Sequence, residues 1–213
     1  ISAWVEILKY AKAMIVDSLK YINQLPLGGT AVGTGLNTPK NFDKIACEEL
    51  SKMTKIKFSP MANKFHGLSS KDACSFFSGA LKVLAESLYK IANDIRWLAS
   101  GPNCGIGEIS IPANEPGSSI MPGKVNPTQS EAMCMLCIQV IANNLAVSMA
   151  NTQGNFQLNV FMPSIAYNLN QSLNLLADGM DSFTRKCVIG IKPNIKKIKY
   201  NLDRNLMLVT ALN

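Results

Sequence analysis

The chain has 213 residues, enough for one domain with a sizeable core or for one domain plus the start of another. Apolar residues make up 47% and charged residues only 16%, well below the roughly 25% usual for soluble domains, which predicts the extra buried surface of an oligomer. The net charge of +7 is compatible with small anionic substrates. The basic residues are scattered apart from one run at Lys196, Lys197 and Lys199, which we interpret as a solvated helix face and not as the clustered, aromatic-rich patch that nucleic-acid binding requires.

Helical periodicity begins at once and dominates the chain. Residues 3–23 predict a helix that ends before Pro26, and Thr38-Pro39 predicts the N-cap of a second helix that runs to about Lys55. The glycine-rich stretch from Gly28 to Gly35 lacks the Lys-Ser/Thr of a phosphate-binding P-loop and has no strand before it. We therefore interpret it as a structural turn.

Residues 68–99 predict one helix of about 30 residues, which would span about 45 Å at 1.5 Å per residue. That length is typical of a long helical bundle. Residues 101–125 are rich in Gly and Pro and break the pattern, and long irregular segments in compact domains are often functional lids.

The helix predicted from Pro127 to about Asn151 is apolar nearly all round and should lie inside an assembly. Its polar members argue against a membrane span: Glu131, Gln139, Asn143 and Asn144. With a further helix at 163–186, we predict an all-α fold, a long up-and-down helical bundle over residues 1–192. Residues 193–213 would begin a small C-terminal helical domain. Because the chain starts without Met and ends directly after an apolar helical pattern, we expect a piece of a longer protein.

The residues before the helix at Pro127 suggest chemistry. Asn126 is a good N-cap and Lys124 adds positive charge, so an anion is favoured where the free N–H groups of the helix converge. Upstream, Ser118 and Ser119 lie between glycines on a loop that can move. A serine becomes a base only if its alkoxide is stabilised, which such positive groups can do. On physical grounds alone, an ordinary loop before a capped helix remains the competing interpretation.

The stretch Gly117-Ser118-Ser119-Ile-Met121-Pro122-Gly-Lys124-Val-Asn126 matches the GSSxMPxKxN signature of the fumarase/aspartase superfamily. Within that superfamily, the chain resembles class II fumarases over almost its whole length. The resemblance is carried by the segments Gly28 to Gly35, Lys90 to Trp97, Gly107-Glu108, Asn114 to Gln129, Ser182 to Gly190 and Leu206 to Asn213.

This resemblance implies specific roles. Ser118 corresponds to the catalytic serine that removes the C3 proton of malate, and Ser119, Lys124, Val125 and Asn126 correspond to substrate-binding positions. Glu131 matches an acidic residue that supports a catalytic histidine, and its position near the helix start lets it face the same site. Without the resemblance, Glu131 would also suit a helix N-terminus for electrostatic reasons.

The family's catalytic histidine lies in a Thr-His segment nearer the N-terminus, which this sequence does not contain. The one histidine, His66, is interpreted as structural or exposed. Four positions depart from the usual fumarase pattern, and they bear on stability and subunit contacts more than on the serine loop: Asn103, Ala113, Gln157 and Met162.

Six cysteines occur without a disulfide framework, and Cys134 and Cys137 form a lone CxxC in an apolar helix. Zinc would need two more ligands, so we predict buried thiols and no metal. The thiols favour a reducing compartment, either the cytoplasm or, in a eukaryote, the mitochondrial matrix. No signal peptide or membrane span is evident.

The resemblance implies a fumarate hydratase of the tricarboxylic acid cycle that needs no cofactor and acts as a homotetramer, with each site built from three chains. Its partner is a small dicarboxylate. Two alternatives stay open: a sister lyase such as aspartate ammonia-lyase, and a non-catalytic helical scaffold of the same fold. The piece by itself is expected to be inactive, because the histidine is absent.

Overall fold

The computed structural model describes residues 1–115, 121 and 123–212. Seven α-helices account for most of these residues: α1 Ser2–Ile22, α2 Phe42–Thr54, α3 Lys64–Ser69, α4 Asp72–Leu98, α5 Thr128–Asn151, α6 Met162–Lys186 and α7 Ile195–Asp203. Two 3-10 helices cover Val188–Gly190 and Leu206–Leu212. Strands are limited to two-residue pieces: β1 Gln24–Leu25, β2 Ser59–Pro60, β3 Ile109–Ser110 and β4 Lys192–Pro193. The predicted all-α class is confirmed.

The strands pair across long stretches of sequence. Strand β1 runs parallel to β2, and β3 runs antiparallel to β4 with Ile109 opposite Pro193. Each pair fixes a loop against a distant segment of the chain.

Two predicted helix boundaries are wrong. The second helix begins at Phe42, because the Thr38 hydroxyl donates to the Gly28 carbonyl at 3.2 Å instead of capping a helix. The predicted helix 68–99 is interrupted at Ser70, which is extended, and the next residue donates its backbone N–H to Asn151 Oδ1 at 2.6 Å. This contact joins residues 80 positions apart, so local periodicity does not reveal it.

The chain divides into two compact units, one formed by Ile1–Ser87 and Ile138–Leu175 and the other by Leu88–Cys137 and Leu176–Asn213. In the first unit, Val147, Ala150 and Ile165 form a buried cluster. The glycine-rich stretch forms tight turns there, and Gly33, at φ +110°, lies so close to Phe65 that a Cβ would be 2.7 Å from its backbone nitrogen. His66 bonds to Asp72 at 2.9 Å through Nε2, in keeping with a structural role.

The second unit packs α4, α5 and α6 residues around a buried core that includes Ile95, Met133, Cys137 and Phe183. Helix α6 approaches α5 closely at Gly179, where a Cβ would lie 2.3 Å from Leu136 Cδ2, so a larger residue would require the Leu136 side chain to move.

Within the described part of the chain, helix α5 is the one helix long and apolar enough to cross a membrane by length and composition, a test that core helices also pass. It nevertheless buries polar side chains. Asn143 is only 2% exposed and donates to Gln171 Oε1 at 2.9 Å and to Ser172 Oγ at 3.1 Å. Such satisfied polar contacts are those of a helix packed against protein.

Candidate functional site

A cavity of about 930 Å³ lies in the second unit. It is bordered by the end of α4, the segment 99–111, residues just before α5, and the start of α7. Lys124 and Val125, two predicted substrate-binding residues, line it. The structure therefore places half of the described candidate residues at one concave surface.

Ser118 and Ser119 lie outside the described residues. Lys124 is exposed and closes a turn, because its backbone N–H donates to the Met121 carbonyl at 3.2 Å. Gly123 has φ +79°, a conformation that glycine adopts without strain. This turn presents Lys124 and Val125 toward the cavity.

Helix α5 begins one residue later than predicted. The Pro127 carbonyl accepts the first helical bond, from the Glu131 N–H at 3.0 Å, so Pro127 occupies the N-cap and Asn126 precedes it. The predicted capping role of Asn126 is therefore wrong. Asn126 is half-buried and is not among the residues that line the cavity.

The two segments that flank the serine loop are both attached to the end of α6. The Asn114 amide donates to the Lys186 carbonyl at 2.9 Å, and the Ser182 hydroxyl donates to Gln129 Oε1 at 2.9 Å. Gln129 therefore contacts α6. Since Ser182 and Lys186 are one helical turn apart, α6 holds both ends of the loop close together.

Glu131 does not line the cavity itself. Its carboxylate lies 3.5 Å from Arg96 Nη2 on α4, and Arg96 does line the cavity. The pair is half-exposed, so it is partly screened by water. Glu131 thus contacts a residue of the cavity wall, Arg96, which is not among the candidate residues from the sequence.

The charges around the cavity are one-sided. Three cationic side chains line it, Arg96, Lys124 and Lys197, and among its described lining residues there is no Asp or Glu. Lys197 belongs to the basic run at 196–199, which was the available sequence signal, but periodicity alone could not place it beside residues 96–124. The surface is suited to an anion.

The CxxC thiols are buried, as predicted. Cys137 is fully buried, its Sγ lies 3.8 Å from Met133 Sδ, and burial raises its pKa to about 12. Burial also raises the pKa of the Cys134 thiol, although nearby Arg96 opposes the shift. Within the described residues, no three His, Cys, Asp or Glu side chains gather as a metal site would require.

Comparisons with known proteins agree with this architecture. A lyase family model matches residues 1–142. Class II fumarate hydratases of Helicobacter pylori and Bacillus subtilis are 57% and 56% identical to the chain over its whole length. The crystal structure of a class II fumarase from Schistosoma mansoni superposes with a TM-score of 0.97 at 44% identity over 99% of the chain, which confirms the predicted helical fold.

A fumarate lyase:delta crystallin from Brucella melitensis superposes with a TM-score of 0.94 at 40% identity. The chain covers 46% of each of the two bacterial relatives and 47% of the Schistosoma structure. It therefore spans about half the length of the relatives it matches.

Proposed function

The chain belongs to the lyase family, and from that premise we propose that the protein of which it forms part is a class II fumarate hydratase. The observation that carries the proposal is the match at 55–57% identity, over essentially the whole chain, to curated class II fumarate hydratases. The reaction is the reversible addition of water to fumarate to give (S)-malate, in the tricarboxylic acid cycle.

In the proposed mechanism, Ser118 removes the C3 proton of malate while the adjacent carboxylate takes up the resulting charge. Lys124, with Ser119, Val125 and Asn126, binds that carboxylate, and a positive side chain near the site stabilises the charge as it grows. The C2 hydroxyl then leaves as water with a proton from another segment of the whole protein. No metal or cofactor is assigned to the reaction.

Glu131 completes the proposed machinery by supporting the histidine that the family resemblance expects from another segment. Its pairing with Arg96, which borders the cavity, supports a place close to bound substrate. In the absence of substrate, the Glu131 carboxylate already partly neutralises the positive charge of Arg96.

A homotetramer is the second part of the proposal. An exposed apolar stripe runs along α5 at alternating spacings of three and four residues: Met135, Ile138, Ala142, Leu145 and Met149. Leu145 is 63% exposed, although a helix of this apolar character is expected to be buried all round. Contact with copies of the same chain would cover the stripe, and each site would then draw residues from three chains.

We place the protein in the cytoplasm, or in the mitochondrial matrix of a eukaryote. The support is chemical: the described cysteines are all free thiols, and thiols persist in a reducing compartment.

The full-length protein tests the proposed activity directly. With malate as substrate, ultraviolet absorbance should rise as fumarate forms, and with aspartate it should stay flat. Fumarate formed from aspartate would instead identify an ammonia-lyase. No fumarate from either substrate, in a correctly assembled protein, would identify a non-catalytic scaffold.

A further inference from the structure

The net positive charge of the chain is concentrated in one short segment. Residues 185–204 contain seven Lys or Arg and one Asp, a net charge of +6, whereas the other 193 residues hold 14 basic and 13 acidic side chains. The basic run on α7 is thus the centre of a longer positive stretch that begins at the end of α6. Residues 185–204 are called the basic segment below.

The basic segment is attached along residues 106–114, so its charges share one surface of the second unit. Near its start, the Lys186 carbonyl accepts a hydrogen bond from the Asn114 amide at 2.9 Å. Strand β4 then pairs with β3, and the Asn194 N–H donates to the Glu108 carbonyl at 2.7 Å where α7 begins. These contacts in series hold the cations beside one another and do not spread them around the molecule.

Most of these cations have no counterion. Arg185 pairs with Asp181 one turn earlier on α6. Within the part of the chain that the structure describes, the other six have no Asp or Glu in ion-pair contact: Lys186, Lys192, Lys196, Lys197, Lys199 and Arg204. All six are exposed except half-buried Lys197. Like charges held together create a positive potential that attracts an external anionic partner.

Exposed aliphatic side chains lie among the cations. Ile189, Ile195 and Leu202 are 74%, 67% and 56% exposed. Ile195 and Leu202 are seven residues apart, so they lie on the same face of α7, two turns from each other. An acidic protein segment could contact both kinds of group, with carboxylates on the lysines and apolar side chains on the aliphatics. A polynucleotide offers phosphates and base faces and would leave the aliphatics uncovered.

The aromatic side chain of the basic segment is already covered on this surface. The Arg204 guanidinium carbon lies 4.1 Å from the Tyr200 ring centroid, and the Lys197 ammonium lies 5.1 Å from it. Single-stranded nucleic acids bind largely by stacking bases on exposed aromatic rings. Membrane-surface helices present a large apolar face, whereas α7 has only nine residues. A protein partner therefore fits this surface best.

We propose that the basic segment is a docking surface for an acidic segment of another protein, one in which carboxylates alternate with aliphatic side chains. Lys196 and Lys199 receive carboxylates, and Ile195 and Leu202 receive the aliphatic groups between them. Charge complementarity of this kind steers association and weakens as salt is added. The inference does not depend on the proposed hydratase reaction, because these four residues are not among those that line the cavity.

The test measures fluorescence anisotropy of a short labelled peptide of repeated Glu-Leu-Glu-Glu with the full-length protein. The double variant Lys196→Gln/Lys199→Gln should raise the Kd about tenfold, because each exposed ion pair contributes at most about 1 kcal/mol. The control Lys55→Gln/Lys57→Gln removes two exposed lysines that also have no carboxylate in ion-pair contact among the described residues. It should change the Kd less than about twofold. Equal effects of the two double variants, or no binding to the unaltered protein, would overturn the proposal.

Three further probes identify the chemistry that the surface selects. Polyglutamate of the same length should bind more weakly than the Glu-Leu-Glu-Glu peptide, and Leu202→Ser should weaken only the leucine-containing peptide. A single-stranded RNA of equal net charge and vesicles of phosphatidylglycerol represent the other two anionic surfaces. Tighter binding of the RNA or of the vesicles than of the peptide would refute a protein partner.

Malate turnover of the same variants keeps this outcome separate from the fate of the proposed function. Lys196→Gln/Lys199→Gln should retain normal turnover while it loses peptide binding. Peptide binding that depends on these lysines in a protein without hydratase activity would refute the proposed function and leave the docking surface standing. Full hydratase activity without peptide binding would refute only the docking surface.

Discussion

Side chains from different segments meet at the cavity, and their exposure decides how much each interaction stabilises. Arg96 and Glu131 are 37% and 42% exposed, so water screens their attraction. An ion pair of this kind contributes at most about 1 kcal/mol to folding. Its position therefore suggests a role in binding or catalysis more than in stability.

Replacement of Glu131 by Gln separates those roles. We expect the free energy of unfolding to change by less than about 1 kcal/mol, because the pair is half-exposed. Turnover should fall at least about tenfold if Glu131 supports the proton-transferring group. Thermal unfolding and malate turnover of the full-length protein provide the two measurements.

Glu86→Gln is the matched control, because Glu86 is 48% exposed, pairs with Lys82 at 3.0 Å and is not among the residues that line the cavity. It should affect neither quantity appreciably. If the two variants had the same turnover, Glu131 would have no special role.

Ser118→Ala should lower the turnover of the full-length enzyme by at least about 10²-fold, the range expected when a general acid–base group is lost. Steady-state kinetics with malate gives the answer. Ser87→Ala, which removes a hydroxyl bonded to the Val83 carbonyl within α4, should keep normal turnover. Near-normal activity of Ser118→Ala would exclude that serine as the base.

Helix α5 combines buried thiols, a buried amide network and an exposed apolar stripe. Cys134 and Cys137 are at most 6% exposed, whereas Asn143 links the helix to Gln171 and Ser172 on α6. One face of α5 therefore packs against α6, and the other face would contact the proposed neighbouring chains.

The thiols should differ in reactivity, because the thiolate is the nucleophile and burial raises the pKa of Cys134 and Cys137. We expect iodoacetamide at mildly alkaline pH to label exposed Cys104 first and to spare Cys137 in the folded protein. Peptide mass spectrometry would identify the labelled sites. In urea, all six thiols should react, and rapid native labelling of Cys137 would contradict its burial.

Asn143→Ala should lower stability by about 1–3 kcal/mol, because half-buried Gln171 and buried Ser172 lose a donor. Asn144→Ala on the same helix is the control, since Asn144 Oδ1 is buried without a hydrogen-bond partner among the described residues and little is lost with it. Urea unfolding midpoints of the two variants provide the comparison. Equal losses of stability in the two variants would show that the Asn143 hydrogen bonds do not stabilise the fold.

Sequence reasoning recovered what depends on local pattern. Helices α1, α5 and α6 begin and end within a residue of their predicted bounds, because their apolar periodicity is long and uninterrupted. Lys124 and Val125 belong to a short contiguous motif, and both line the cavity. The break at Ser70 and the cavity positions of Arg96 and Lys197 were missed, because each depends on contacts between residues far apart in the chain.

At the scale of the whole molecule, the low charge content and the stripe on α5 point to the same proposal. A surface with Ile138 at 57%, Leu145 at 63% and Met149 at 55% exposure is costly to leave in water, since each buried aliphatic side chain contributes about 1.5–3 kcal/mol. Association with further copies would bury it.

Leu145→Glu should therefore break the full-length assembly into smaller species, because a buried unpaired carboxylate is strongly unfavourable. Sedimentation velocity would measure the change. Met53→Glu on α2, at a position that is 79% exposed, should leave the assembly intact. A tetramer that survives Leu145→Glu would place the subunit interface elsewhere.

The attachment of α7 to the segment 106–110 has a consequence for biosynthesis. Its hydrogen bonds join residues 82 to 95 positions apart, so this wall of the cavity cannot close until the later segment has left the ribosome. Pairings over such long separations form slowly, because the intervening chain must first be ordered. During elongation, α4 can be complete while the cationic surface beside it is still open, and a nascent chain would complete this surface only after α7 has been synthesised.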